Sequence, residues 1–223
     1  MNRPADILFD LDGTLIDSSP GILASFKRVL DANGLQAAVP LEASLIGPPL
    51  GETLQRISGI ADEAVLARLI EAFKQDYDTV GYRQTFAFAG VPEGLRRLAE
   101  SGARLFIVTN KRMVPTRKIL DALDLARYFT GVHTRDESVP MSPSKSAVTR
   151  RVVAQYAIAP GNALFVGDSE EDRRAATENG MAFVHAAYGY GDLSSAAPAA
   201  FSTLARLTDL PALAATLLSG AHT

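Results

Sequence analysis

Apolar positions follow two rhythms along the chain. In the first, short runs apolar at successive positions are each closed by a polar or glycine-containing turn: Ile7-Leu8-Phe9, residues 104–108 (Leu105, Phe106, Ile107, Val108) and residues 163–166 (Leu164, Phe165, Val166). Residues 131–134 and 182–185 are weaker versions of the same pattern. Runs that are apolar on both faces suit parallel strands covered by helices on each side. In the second rhythm, apolar residues recur at helical spacing. Helices are expected over 92–101 (Leu95, Leu98, Ala99), stopped by Gly102, and over 114–123 and 146–156. Strand and helix alternate, which predicts an α/β fold with an open, doubly wound parallel sheet.

Residues 18 to about 85 break the alternation. Ser18-Ser19-Pro20 reads as a helix start, with Ser18 as N-cap, and Ile22, Leu23, Phe26, Val29 and Leu30 follow on one face before Gly34. A second helix is expected over 62–79, with Val65, Leu66, Leu69, Ile70, Phe73 and Tyr77 on one stripe. Between them Gly47-Pro48-Pro49-Leu50-Gly51 reads as a rigid loop. With no strand pattern in this stretch, the division predicted is a core of residues 1–16 and 86–223 with a helical cap of 17–85.

Composition narrows the function. Apolar residues make up 47% of the 223 and charged residues 21%, enough for a real core and too apolar for large-scale disorder. Net charge is -3 with no basic stripe, which argues against a nucleic-acid partner. The absence of Cys excludes a disulfide scaffold and any thiolate metal site. The start Met1-Asn2-Arg3-Pro4-Ala5-Asp6 leads to an apolar run soon broken by Asp10, too short for a signal peptide, and no membrane span is in view. A cytoplasmic location is expected.

The chemistry gathers where the strands end. The first run leads into Asp10-Leu11-Asp12-Gly13-Thr14, the second into Thr109-Asn110-Lys111, and the 163–166 run into Gly167-Asp168-Ser169-Glu170-Glu171-Asp172, with Lys145 opening the helix before it. In a parallel sheet this edge is where ligands bind. Asp10, Asp12 and Asp168 make a hard oxygen cage suited to Mg²⁺, and Thr109 and Lys145 supply neutral and cationic donors for an anion. Each feature alone has an ordinary explanation as a turn, a helix cap or a surface lysine. Their joint occurrence at these ends argues for an active site.

Asp10-Leu-Asp-Gly-Thr14, the strand ending in Thr109, Lys145 and Gly167-Asp-Ser-x-x-Asp172 resemble the four motifs of the haloacid dehalogenase superfamily. Ile46-Gly47-Pro48-Pro49-Leu50 and Tyr188-Gly-Tyr-Gly191 are similar to its phosphoglycolate phosphatase-like branch. One departure is that Lys145 follows Pro143 in Ser142-Pro143-Ser144-Lys145, where relatives often carry Lys-Pro. The resemblance implies a Rossmann-like core with a helical cap of the first type, and a Mg²⁺-dependent phosphatase of small phosphomonoesters. It implies Asp10 as the nucleophile that becomes an aspartyl-phosphate, and Asp12 as the acid for the leaving alcohol and the base for water. The metal would be held by the Asp10 side chain, the Asp12 carbonyl and Asp168, with Asp172 supporting from behind. The transferring group would be held by Thr109, Asn110 and Lys145.

Asp12 favours a phosphomonoester over a halide or phosphonate, since only the ester has a leaving alcohol to protonate. A nucleoside monophosphate phosphatase, a phosphoglucomutase-like isomerase and a non-catalytic binding protein stay open. Substrate choice is expected from Asp17, Ser18 and the 46–50 loop. A carboxylated substrate such as phosphoglycolate would need a cap cation from Lys27, Arg28, Arg56 or Arg83. A nucleotide would need an apolar face from Phe26, Phe86 or Phe88. The preference is for a phosphoglycolate-type substrate. His133, His185 and His222 show no ligand spacing, and Glu170-Glu171, Arg112, Arg117 and Lys118 read as solvated helix faces.

Overall fold

The structure is a computed structural model that describes residues 5–191, 193 and 201–219. Residues 1–4, His222 and most of the Ala-rich stretch after Ser194 lie outside the described residues. Six parallel strands form the main sheet: β1 (Asp6–Phe9), β4 (Arg104–Thr109), β5 (Gly131–Thr134), β6 (Ala163–Gly167), β7 (Ala182–Ala186) and β8 (Ser202–Leu204), in the order β5-β4-β1-β6-β7-β8. The order runs outward from β1 in both directions, so the crevice beside β1 is the topological switch point where ligands bind. The five strands predicted from the apolar runs are all present, and β8, short and with only Leu204 buried, is the addition.

Both faces of the sheet are covered, which is why its strands are apolar at successive positions. Ile7, Phe9, Leu105, Ile107, Leu164 and Val166 point to one face, under α4 (Val91–Glu100), α5 (Met113–Ala122) and α8 (Leu210–Ser219). Leu8, Phe106, Val108 and Phe165 point to the other, under α6 (Lys145–Gln155) and α7 (Glu170–Thr177). Among the described residues no helix is long and apolar enough to cross a membrane.

Between Asp17 and Phe86 the chain is helical: α1 (Ser19–Ala32), α2 (Leu50–Ser58) and α3 (Glu63–Thr79). These helices bury a core of their own, built on Phe26, Leu54, Ile57, Leu69, Phe73 and Tyr77. The Asp62 side chain caps α3 as its sequence position implies, accepting the Val65 N–H at 2.9 Å. Two details differ from expectation. Leu50 and Gly51 belong to α2 rather than to the preceding loop. Ser18 holds the cap position of α1 without capping it, because its hydroxyl is engaged by Asp12, and the Asp17 carboxylate takes the Ser19 N–H instead. The two chain crossings pair as a short antiparallel ladder, β2 (Ile16–Asp17) with β3 (Phe86–Ala87).

Candidate active site

β1 ends one residue before Asp10, whose N–H is fixed by the Val166 carbonyl at 2.9 Å. The chain then folds back on itself. Gly13 takes φ +82°, and the N–H groups of Leu15 and Ile16 return to the Leu11 carbonyl. A left-handed φ is accessible to glycine at little cost, and a side chain at Gly13 would also run into the Asp168 carboxylate. Thr109 is the last residue of β4 and is buried. Lys145 is the first of α6, which Ser144 caps, and Asp168 follows β6 immediately. One sheet edge therefore carries Asp10, Asp12, Thr109, Asn110, Lys145 and Asp168 to a common cavity.

Charges dominate this edge. Lys145 Nζ lies 2.9 Å from Asp10 Oδ1 and 2.6 Å from Asp172 Oδ1, with all three side chains buried. Burial opposes the charge on Lys145, but Asp10 and Asp172 outweigh it and hold the lysine above its ordinary value. Burial raises the Asp10 pKa well above the ordinary carboxylate value, with Lys145 as the main opposing influence. Burial likewise raises that of Asp168, against N–H donation from Tyr190 and Gly191 at 2.8 and 3.1 Å. Asp172 has both oxygens engaged. Lys145 binds one, and the Ser169 N–H and hydroxyl bind the other at 3.0 and 2.6 Å, in a capping box for α7.

Oxygens of Asp10, Asp168 and Asp172 lie within 4.8 Å of one another, and buried Asp10 Oδ1 has the Lys145 ion pair as its polar contact but no well-aligned hydrogen bond. Asp172 is already engaged through both oxygens, which leaves Asp10 and Asp168 as the buried hard-oxygen donors that fit a divalent cation.

Three features of the site were not assigned from sequence. Lys111 is almost fully buried and donates to both Asp12 oxygens, at 3.0 and 3.3 Å, and to the Tyr77 hydroxyl at 2.9 Å. Ser18 Oγ donates to Asp12 Oδ1 at 2.5 Å. The Tyr188–Gly191 turn, matched by resemblance but given no role, supplies the backbone donors to Asp168. The Tyr190 hydroxyl also accepts the N–H groups of Ser18 and Ser19 and donates to Asp17.

Several surface expectations need correction. Glu171 accepts from Asn110 Nδ2 at 2.7 Å and lines the cavity, whereas Glu170 pairs with Arg173 as a surface residue does. Arg112 is not simply solvated, since it binds the Asp78 carboxylate of α3; Arg117 and Lys118 are exposed as expected, with Lys118 also donating to the Asp78 carbonyl.

The cavity over Asp10 measures about 750 Å³ and is closed on its far side by α1, α2, α3 and the 44–49 loop. The cap cations expected to meet a carboxylate do not line it. Lys27 and Arg28 pair with Asp31 and Asp76, because each is nearer an acid of its own helical layer than the cavity. Arg56 is exposed on α2, and Arg83 is exposed beside the Tyr82 ring. Of the aromatic candidates Phe26 lines the cavity, Phe86 is exposed, and Phe88 packs against Tyr188 and Tyr190.

The sequence pattern of the haloacid dehalogenase-like hydrolases matches residues 7–186. Tyrosine-protein kinase PtkA of Mycobacterium tuberculosis is 34% identical over 191 residues, covering 84% of this chain, and the chain spans 64% of that kinase's length. A phosphoglycolate phosphatase of Nitrosospira multiformis is 33% identical over 193 residues, covering 83% of this chain and 84% of the other. Among solved structures, a predicted phosphoglycolate phosphatase from Haemophilus somnus superposes with a TM-score of 0.82 at 26% identity, over 96% of this chain and 99% of that one.

Proposed function

The chain belongs to the haloacid dehalogenase-like hydrolases, and on that premise we propose that it hydrolyses phosphomonoesters in a Mg²⁺-dependent reaction with Asp10 as nucleophile. One observation carries the reading. The buried Asp10 carboxylate is ion-paired with Lys145 beside Asp168, and a second carboxylate, Asp12, sits two residues on with its own lysine. The phosphatase relatives support it.

Each residue then has a task. An Asp10 oxygen attacks phosphorus while Asp12 gives a proton to the departing alcohol oxygen, so the ester P–O bond breaks as the aspartyl-phosphate forms. Asp12 next takes a proton from water, whose oxygen attacks phosphorus and releases Asp10 with inorganic phosphate. Lys145 and Thr109, with the N–H groups of Leu11 and Asn110, hold the non-bridging oxygens. Asp172, with both oxygens already engaged, holds Lys145 in place rather than touching the metal. A divalent cation held by Asp10, Asp168 and the Asp12 carbonyl would offset the repulsion between carboxylate and phosphate.

We place the cap at 17–85 and the core at 1–16 and 86–223, with the β2–β3 ladder as the hinge pair that lets the cap exclude bulk water. Phosphate release from p-nitrophenyl phosphate with and without Mg²⁺ tests the reading. Asp10→Asn should abolish release while the fold persists, and substantial residual turnover in that variant would exclude Asp10 as nucleophile. A mutase would release little phosphate and require a bisphosphate primer.

A further inference from the structure

The alcohol half of the substrate has its own binding surface, and the inference drawn from it rests on the phosphomonoesterase reading above. The groups proposed to hold phosphate line only one part of the 750 Å³ cavity, whose size is that of a site for a drug-sized ligand. The cap end is mostly apolar, with Ser44, Thr53 and Lys74 its polar members. Ile22 of α1, Ile46, Pro48 and Pro49 of the connecting loop, Leu50 of α2 and Ile70 of α3 line it. Phe26, Phe73 and Tyr77 line it too, as a stack with successive ring centroids 4.6 and 5.6 Å apart.

This wall begins at the reacting atoms. Tyr77 touches Lys111, and Lys111 touches Asp12, the residue assigned to the leaving oxygen. An alcohol departing toward Asp12 therefore departs along the cap. The cations around the cavity have protein partners: Lys145 has Asp10 and Asp172, Lys111 has Asp12, Arg112 has Asp78, and Lys74 meets Glu71 in a solvent-exposed pair. Arg135 donates to the carbonyls of Ser142 and Pro143. A substrate carboxylate would meet only cations that already have partners, and against the apolar wall it would lose its hydration.

We propose that the natural substrate is a phosphomonoester of a bulky, apolar alcohol that carries no carboxylate. Each methylene buried against the wall is worth about 0.8 kcal/mol, or roughly fourfold in affinity. Pro48 and Pro49 offer a wall whose backbone is already restricted, so little ordering entropy is lost on contact.

The test measures binding and turnover separately. Binding of n-alkylphosphonates from methyl to octyl, and of 3-phosphonopropanoate, is followed by titration calorimetry with Mg²⁺ present. Turnover is followed on the matching alkyl phosphates and on 2-phosphoglycolate. Affinity should rise two- to fourfold per methylene, so by about 20-fold or more from ethyl to hexyl, and Ile46→Ser and Ile70→Ser should each flatten that slope. A slope that is flat in the wild type, or 3-phosphonopropanoate binding more tightly than hexylphosphonate, overturns the proposal even if every ester is hydrolysed. A steep binding series with no ester hydrolysed would instead overturn the phosphatase reading and leave the apolar subsite standing.

Discussion

Lys111 Nζ lies 3.0 Å from Asp12 Oδ1, and the same ammonium reaches the Tyr77 hydroxyl on α3 at 2.9 Å. Burial works against a charged Lys111, but Asp12 and Tyr77 outweigh it and keep the lysine above its ordinary value. A cap helix is thereby joined to the proposed acid through one side chain. The join is reinforced nearby by the two-pronged contact of Arg112 with Asp78, at 2.5 and 2.8 Å.

Removing that link should cost rate more than binding. Truncating one partner of a buried charge pair typically costs about 2–5 kcal/mol. Lys111→Met is therefore expected to lower kcat on p-nitrophenyl phosphate by at least about 30-fold, with KM moving less. Tyr77→Phe removes one hydrogen bond worth about 0.5–1.5 kcal/mol and should cost no more than about tenfold. A kcat unchanged in Lys111→Met would show that Asp12 needs no help in position.

Asp10 is destabilising where it stands. Its folded-state pKa is raised by burial, so between the ordinary value of 3.8 and that raised value the folded protein binds more protons than the unfolded chain. Stability of the metal-free protein then falls as pH rises through this window. The nearly isosteric Asp10→Asn removes the charge. Metal-free, at neutral pH, the variant should melt higher than wild type, by about 2–4 °C for each kcal/mol recovered. Adding Mg²⁺ should raise the wild-type Tm and move the variant little. Thermal scans in chelator and in Mg²⁺ check both halves, and an unchanged or lower Tm for the metal-free variant would contradict the assigned cost.

How much was legible in the sequence follows from which interactions are local. Strands buried on both faces announce themselves by composition, so β1, β4 and β6 needed no long-range information. Asp10, Thr109, Lys145 and Asp168 were legible because each sits at the end of such a strand or opens a helix. Lys111 was not, since its Asp12 and Tyr77 partners lie 99 and 34 residues away, and a lysine at a helix start is ordinarily solvated. Ser18 misled for a related reason: a serine before a helical proline is a good cap, and only the fold brings Asp12 close enough to take its hydroxyl. Glu171 and Arg112 looked like helix surface because the parts that cover them, the 109–112 turn and α3, are distant in sequence.

Arg28 and Asp76 give a cap-specific pH dependence. The Arg28 guanidinium grips Asp76 through two nitrogens, at 2.6 and 2.8 Å, and this bond, more than Coulomb attraction, holds the Asp76 pKa below 3.8. A depressed folded-state value means that the contribution is complete above 3.8 and is lost as pH falls through the lower folded value. Arg28 stays 39% exposed, so screening limits the pair to about 0.5–1 kcal/mol. Asp76→Asn should lower the unfolding free energy from urea titration at pH 7 by that amount, and the wild-type and variant values should converge as pH falls below 3.8. A difference that persisted at pH 2 would assign the effect to packing between α1 and α3 instead.

Gly189 is the position where the smallest change should do the most damage. A methyl group there would collide with the Gly13 carbonyl oxygen and stand 2.8 Å from Asp168 Cγ. The first obstacle is backbone of the loop that carries Asp12, and the second is a buried carboxylate pinned by the Tyr190 and Gly191 N–H groups. Neither is the free end of a flexible side chain, so Gly189→Ala must push Asp168 away from Asp10 or lift the 188–191 turn. Lifting the turn would also loosen the Tyr190 hydroxyl from Ser18, Ser19 and Asp17 at the hinge. Displacements of about 1 Å at reacting groups cost about 100-fold. Gly189→Ala should therefore lower kcat/KM by roughly that factor and weaken the Mg²⁺ concentration dependence of both activity and Tm. Gly161→Ala, where a methyl would meet open space, is the control that should change neither. Wild-type Mg²⁺ dependence in Gly189→Ala would mean that the turn yields without disturbing Asp168, and that its close approach is packing alone.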